Sequence, residues 1–200
     1  MKISAIQQQV KRQGRYSVYV DGKFAFGLSE SALIEQKLAS GQELSPERLA
    51  ELKKAAGLDK AYNNALRYVV MRPRSEWELA DYFRRKGVDP EAGAIITDRL
   101  RRLDLLNDLA FARSWVANRR LLKTMSKRRL KLELTQKRVA DDIIIRVLAE
   151  DETDERVTLK QLIAKKRDRY PDRQKLMQYL ARQGFSYDDI KTALSAPDED

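Results

Sequence analysis

The chain contains no cysteine and no histidine. Disulfides, zinc sites built on Cys or His, thiolate nucleophiles and every scheme in which an imidazole moves a proton are therefore excluded. No apolar run approaches the length of a membrane span, and Met1-Lys2-Ile3-Ser4 opens no secretory signal, because no apolar stretch follows it. Glycine is sparse, with 8 residues, and no Gly-Lys-Ser or Gly-Lys-Thr loop is present to cradle a nucleotide. These absences point to a cytoplasmic, soluble, cofactor-free protein with no membrane partner. What the chain has in quantity is charge: 40 Lys and Arg against 30 Asp and Glu, a net +10 over 200 residues, with 42% hydrophobic and 35% charged content. The mean hydropathy of −0.61 is thin for one compact core, and a pI near 9.7 predicts attraction to polyanions or acidic protein faces.

A helix pair is written three times, at a period of roughly 45 to 50 residues. Ser75 leads through Leu79, Tyr82 and Phe83 to Lys86-Gly87-Val88. Ser126 leads through Leu130 and Leu134 to Lys137-Arg138-Val139, and Asp172 leads through Leu176 and Leu180 to Gln183-Gly184-Phe185. Each copy opens on a cap-forming residue, and Glu78 completes a capping-box pattern in the first. Second helices are expected over Ala94 to Leu103, Asp141 to Leu148 and Tyr187 to Leu194. A longer helix precedes each pair: Lys60 to Met71, Asn107 to Leu122, and Asp151 to Arg169. Two short amphipathic helices cannot close a core, but a third laid across them can. The predicted fold class is mainly α: three tandem three-helix units, helix-turn-helix-like, stacked into an elongated curved array. The units are expected at 58–106, 107–150 and 151–195, with a frayed acidic tail at 196–200.

Residues 1–57 read differently. Arg15 to Val20 and Lys23 to Leu28 alternate around Asp21-Gly22, a pair that takes the positive φ angles of a two-residue hairpin turn. Ile3 to Val10 is a candidate third strand. Two short helices, Ser29 to Leu38 and Ser45-Pro46 to Ala56, should cover the sheet, the second stopping at Gly57.

Basic residues are densest in the second repeat: Arg113, Arg119, Arg120, Lys123, Lys127, Arg128, Arg129, Lys131, Lys137 and Arg138, with Glu133 the opposing acid among them. Arg120, Lys123 and Lys127 share helical spacing if the helix persists. A second patch is Arg84, Arg85 and Lys86, with Arg99, Arg101 and Arg102. Either set suits phosphates or an acidic protein rim, and either is also what a solvated basic helix face looks like. Charge reversal of Arg119, Arg120, Arg128 and Arg129 is expected to weaken binding and leave the fold intact. The aromatics Tyr82, Phe83, Phe111, Trp115, Tyr179 and Phe185 fall at apolar repeat positions and read as core. Trp77, between Glu76 and Glu78, is a candidate exposed anchor. The carboxylate groups Asp141-Asp142, Asp151-Glu152-Asp154-Glu155 and Asp188-Asp189 sit at expected helix starts, where acids complement the dipole, so no metal site is assigned.

The ordered set Arg72-Pro73-Arg74-Ser75, Glu78-Leu79, Lys86-Gly87, Asn107-Asp108, Phe111-Ala112, Trp115 and Gln178-Tyr179-Leu180-Ala181-Arg182-Gln183-Gly184-Phe185-Ser186 resembles the RecX family of RecA regulators. The resemblance covers roughly residues 58 to 195. It implies tandem helical repeats, no enzymatic activity, and a role in modulating the RecA recombinase from the groove of its filament on DNA, with inhibition of its recombinase, ATPase and co-protease activities as the expected direction. The basic patches add an expected DNA contact, single-stranded or duplex, without sequence preference, and the chain is expected to be a monomer. One departure stands out: Arg138 replaces the glycine usual in the family. It must take a left-handed conformation or end its helix differently. A DNA-binding protein acting alone, and a helical scaffold for some other acidic partner, remain as alternatives.

Overall fold

The structure is a computed structural model that describes residues 1–195; the expected acidic tail lies outside the described residues. Strands β1 (Ile3–Gln8), β2 (Arg15–Val20) and β3 (Lys23–Ser29) form an antiparallel sheet in the order β1-β2-β3. The β2–β3 turn is the Asp21-Gly22 pair, with φ of 49° and 79°, the combination a tight hairpin requires. Alternation puts Ile3, Val18, Val20, Phe26 and Leu28 on the buried face, where α1 (Glu30–Glu35) and the start of α2 (Pro46–Val70) cover them with Leu44, Leu52 and Ala56.

Helix α2 overturns one expectation. It runs for 25 residues through Gly57 instead of stopping there. A mid-helix glycine costs only about 1 kcal/mol relative to alanine, and this one faces open space. Burial of Leu52 and Ala56 before it and of Ala65 and Val69 after it outweighs that cost. Asp59 adds an anchor: its carboxylate accepts from Arg15 Nη1 at 3.1 Å, from the Ser29 N–H at 2.9 Å, from the Ser29 hydroxyl and from Asn63 Nδ2 at 2.9 Å. The sheet, α1 and α2 thus share one buried ionic centre.

The described residues form two compact units. The first holds Met1–Arg72 and Phe83–Leu103. Its last helix, α4 (Pro90–Arg102), begins four residues earlier than expected, because Asp89 caps Ala92 N at 3.1 Å and Pro90 takes the first helical position. Gly93 lets α4 approach the Phe83 ring, whose Cδ2 would lie 3.3 Å from an added Cβ. The second unit holds Pro73–Tyr82 and the chain from Asp104. Helix α3 (Glu76–Lys86) begins in it.

In the second unit α5 (Asp108–Leu122), α6 (Lys127–Gln136) and α7 (Asp141–Glu150) close over Phe111, Ala112, Val116, Met125, Leu130, Leu134, Val139, Ile144 and Val147. Helices α8 (Glu155–Lys166), α9 (Arg173–Arg182) and α10 (Tyr187–Ser195) repeat the arrangement over Leu159, Leu162, Leu176, Leu180, Phe185 and Ile190. Helix α8 starts later than expected, because Asp154 is its cap and Asp151 is engaged elsewhere. Phe111, Phe83 and Phe185 are buried as predicted.

The first helices of the three pairs end alike. Val88, Val139 and Phe185 each donate an N–H to the carbonyl five residues back, namely Phe83, Leu134 and Leu180, at 3.1, 3.2 and 3.4 Å. The residue before each is left-handed: Gly87 at φ 62°, Arg138 at 56° and Gly184 at 93°. Arg138 therefore takes the first of its two options, a left-handed position without a glycine.

Candidate nucleic-acid interface

Two junctions between successive helix pairs are built on the same plan. At the first, Ser75 accepts from Glu78 N at 3.2 Å and donates its hydroxyl to Lys137 O at 3.1 Å, while the Glu76 N–H reaches Asp108 Oδ1 at 2.8 Å. At the second, Ser126 accepts from Arg129 N at 3.1 Å and donates to Gln183 O at 3.2 Å, while the Lys127 N–H reaches the Glu155 carboxylate. In each case a cap serine bonds the final carbonyl of the corresponding helix in the next repeat. The first-turn acid of that repeat's leading helix takes the next free N–H. Ser75, Glu78 and Ser126 are all buried. Within the second unit the two junctions tie the first turn of α3 to α5 and α6, and α6 to α8 and α9.

They differ where the left-handed residue sits. An added Cβ at Gly184 would lie 2.3 Å from Ser126 Oγ and 2.9 Å from Arg129 N. At the first junction the corresponding residue is Arg138, and Lys137 beside it reaches Glu78 Oε1 at 2.8 Å.

The basic residues sort into three groups. Arg120 and Arg119 are structural in their contacts. Arg120 is held by Asp151 and by Met125 O, with side-chain exposures of 15% and 6% for the Arg120–Asp151 pair. Burial pushes the Asp151 carboxyl up, but hydrogen bonds from Arg120 and Thr153 and the Arg120 charge together hold it below its ordinary value. Arg119 bonds Glu133 Oε2 at 2.7 Å and lies 4.5 Å over the Trp115 ring, whose Nε1 also donates to Glu133 at 3.0 Å. Charge reversal at Arg119 or Arg120 would leave Glu133 or Asp151 facing a like charge, so the expectation that the fold tolerates it is corrected.

A second group is paired but accessible. Arg113 grips Glu150 through Nε at 2.8 Å and Nη2 at 2.7 Å. These hydrogen bonds, offset in part by desolvation and helped by the Arg113 and Arg146 charges, hold the Glu150 carboxyl at about 2. Lys127 Nζ donates to Asp151 O, and Arg129 stands 3.8 Å from Glu133. The third group, Lys123, Arg128 and Lys131, is exposed and has no ion pair among the described residues. Arg128 and Lys131, three apart on α6, share a face. Lys123 does not continue their helix: α5 ends at Leu122, and Lys123 is extended at φ −144°. Arg84, Arg85 and Lys86 occupy the last turn of α3, all exposed. Arg99 lies 4.1 Å over Tyr62 in the first unit.

The tally of ten basic residues against one acid is thus corrected by Glu78, Glu150 and Asp151, which the fold brings in from positions 31 to 59 residues away. Arg146, four residues before Glu150, joins the Arg113 pair and was not singled out from sequence. Among the described residues no group of three or more His, Cys, Asp or Glu could hold a metal ion, and no helix is long and apolar enough to cross a membrane. Asp141-Asp142 and Asp188-Asp189 lie in the first turns of α7 and α10.

Fold and site together define a basic tandem three-helix-repeat protein with an N-terminal sheet. Models of the regulatory protein RecX N-terminal domain and of the first, second and third RecX three-helix domains match residues 1–45, 61–100, 107–148 and 154–194. The regulatory protein RecX of Levilactobacillus brevis is 36% identical over 212 residues, covering 99% of this chain and 78% of that protein. That of Lactobacillus johnsonii is 37% identical over 134 residues, 67% of this chain; the aligned stretch spans about half the length of that protein (49%) and of its Lactobacillus gasseri counterpart (54%). A crystal structure of regulatory protein RecX superposes with a TM-score of 0.74 at 31% identity, covering 98% of this chain and 99% of the other. The chain belongs to the RecX family of regulatory proteins.

Proposed function

We propose that this chain is a non-enzymatic regulator that binds the RecA filament on DNA and lowers its ATPase, recombinase and co-protease activities. The observation that carries the reading is the exposed group Lys123, Arg128 and Lys131, without an ion pair among the described residues, close in sequence to Ser126 of the second junction. Such a group offers phosphates or an acidic rim a surface whose own counter-charges are elsewhere. Arg113, Lys127 and Arg129, which are paired but accessible, are further contacts in this reading, while Arg119 and Arg120 are held by Glu133 and Asp151. Arg84, Arg85 and Lys86 form a separate contact on α3. Titrating the protein against RecA's DNA-dependent ATPase tests this: activity should fall, and no change up to one chain per RecA monomer overturns it.

The second reading is direct DNA binding without RecA. It is favoured by the first turn of α6, which carries Lys127, Arg128 and Arg129 and no acid of its own. Binding should then weaken steeply with salt. Failure to shift single- or double-stranded DNA near 50 mM salt, a regime in which phosphate contacts are strong, removes it.

A further inference from the structure

Glu150 is the last residue of α7 and Asp151 its C-cap, at the end where the helix dipole disfavours acids. Neither carboxylate is placed there to serve α7. Each is held by an arginine of α5, and the two pairs differ in access. Asp151 and Arg120 are nearly closed to solvent and tied to Thr153 and Met125, which makes them part of the packing. Arg113, Glu150 and Arg146 keep side-chain exposures of 48%, 40% and 61%. Two guanidinium groups converge on one carboxylate, Arg113 through its Nε–Nη2 fork and Arg146 through Nε at 3.3 Å from Oε1. Solvent screens such an exposed pair, so it contributes little to folding. The fork is the geometry with which arginine also grips two phosphate oxygens.

We propose that Arg113 and Arg146 form a phosphodiester-binding site on the α5–α7 face of the second repeat, and that Glu150 is its resident competitor, displaced when a nucleic-acid backbone enters. The inference rests on the reading that this repeat meets nucleic acid. It deepens that reading by naming a site and the group that restrains it. A free carboxylate from an acidic protein has no advantage over one already tethered in place. A polyanion does, because its condensed counterions are released on binding. While Glu150 holds the arginines, however, phosphates that take both leave one carboxylate to be neutralised from solution, which offsets the ion release of about one of the two contacts. With Glu150 neutral, that release is restored.

The test is anisotropy of a labelled oligo-dT strand across a salt series, with the full chain, Glu150→Gln, Glu152→Gln and the double variant Arg113→Ala/Glu150→Gln. Glu152 is exposed, lies two residues on and pairs with no arginine among the described residues, so its change removes the same charge without freeing a guanidinium. Glu150→Gln should steepen the log–log salt slope by about 0.7, the share of the one contact whose release Glu150 offsets on a single strand. Adding Arg113→Ala should return about all of that gain. A Glu150→Gln slope no steeper than that of Glu152→Gln overturns the proposal, as does a gain that survives Arg113→Ala. A gain toward poly-glutamate as large as that toward oligo-dT overturns the phosphodiester assignment. Wild-type chain that binds no oligo-dT instead overturns the direct DNA contact under the proposed function; the variant slopes then decide alone whether the two arginines take phosphate. Matching far-UV CD spectra establish that all four proteins are folded.

Discussion

Gly184→Ala probes the junction between the second and third repeats. The left-handed backbone there costs a side chain about 1–2 kcal/mol. At φ 93° the new Cβ also meets Ser126 Oγ at 2.3 Å and the Arg129 backbone at 2.9 Å. Those atoms are not the loose end of a flexible chain. Relief requires moving α6 away from α9, which breaks the Ser126–Gln183 contact at a further cost of about 1–2 kcal/mol for a buried hydrogen bond and its cap. The expected loss is about 3 kcal/mol. Ser126→Ala alone should cost about 2 kcal/mol, through the lost cap of Arg129 N and the lost donor to Gln183 O. Because both changes disable one contact, the double variant should cost less than their sum by about 1 kcal/mol or more. Gly87→Ala is the reference: its φ is 62° with nothing within 4 Å of the added carbon, so it should cost only the conformational penalty of about 1–2 kcal/mol. Urea unfolding read by tryptophan emission measures the junction variants, since Trp77 and Trp115 both belong to the second unit, and far-UV CD measures Gly87→Ala. A Gly184→Ala loss no larger than that of Gly87→Ala, or additivity with Ser126→Ala within about 0.5 kcal/mol, would refute the reasoning.

Arg120→Ala leaves Asp151 buried without its guanidinium and should destabilise the second unit by about 3–5 kcal/mol, read by the same unfolding assay. Gly57→Ala, mid-helix with open space around it, should stabilise the first unit by about 0.5–1 kcal/mol, visible as a higher urea midpoint in far-UV CD. Arg138→Gly removes the left-handed strain and should stabilise the second unit by about 1 kcal/mol; a loss in the tryptophan-detected midpoint would show that Arg138 makes a compensating contact. The Glu150 carboxyl, followed by carbon-detected NMR, should titrate near 2 and move back toward its ordinary 4.5 in Arg113→Ala. Because the folded value is depressed, the pair's contribution is complete above about 4.5 and fades as pH falls through about 2.

What the sequence determined by itself is local. Asp21-Gly22 forces the hairpin because only residues tolerant of positive φ suit both turn positions. The caps at Ser29, Ser45, Asn107 and Ser126 follow from side chains that reach an N–H two or three residues ahead. The apolar spacing of Leu130 and Leu134, or of Leu176 and Leu180, names the buried face before any packing is known. Even the two alternatives open to Arg138 were legible, since without glycine the helix either closes on a left-handed side-chain residue or ends another way; the structure takes the first, at φ 56°.

Only the tertiary structure decided matters that depend on residues far apart in the chain. Gly57 breaks nothing, because the sheet and Asp59 hold α2 on both sides of it. Ser75 and Ser126 look like ordinary caps until the fold brings the last carbonyl of the next repeat's helix to their hydroxyls. Position 184 must be glycine while position 138 need not be, because packing leaves no room for a Cβ in one junction and admits one in the other. The basic band is divided in the same way: Arg120 is sealed against an acid 31 residues on, Arg113 is shared with one 37 residues on, and Lys123, Arg128 and Lys131 are left to solvent. Turn and cap geometry is set within about four residues of backbone, whereas charge pairing and close approach are set by which helices meet, and that is a property of the packed core alone.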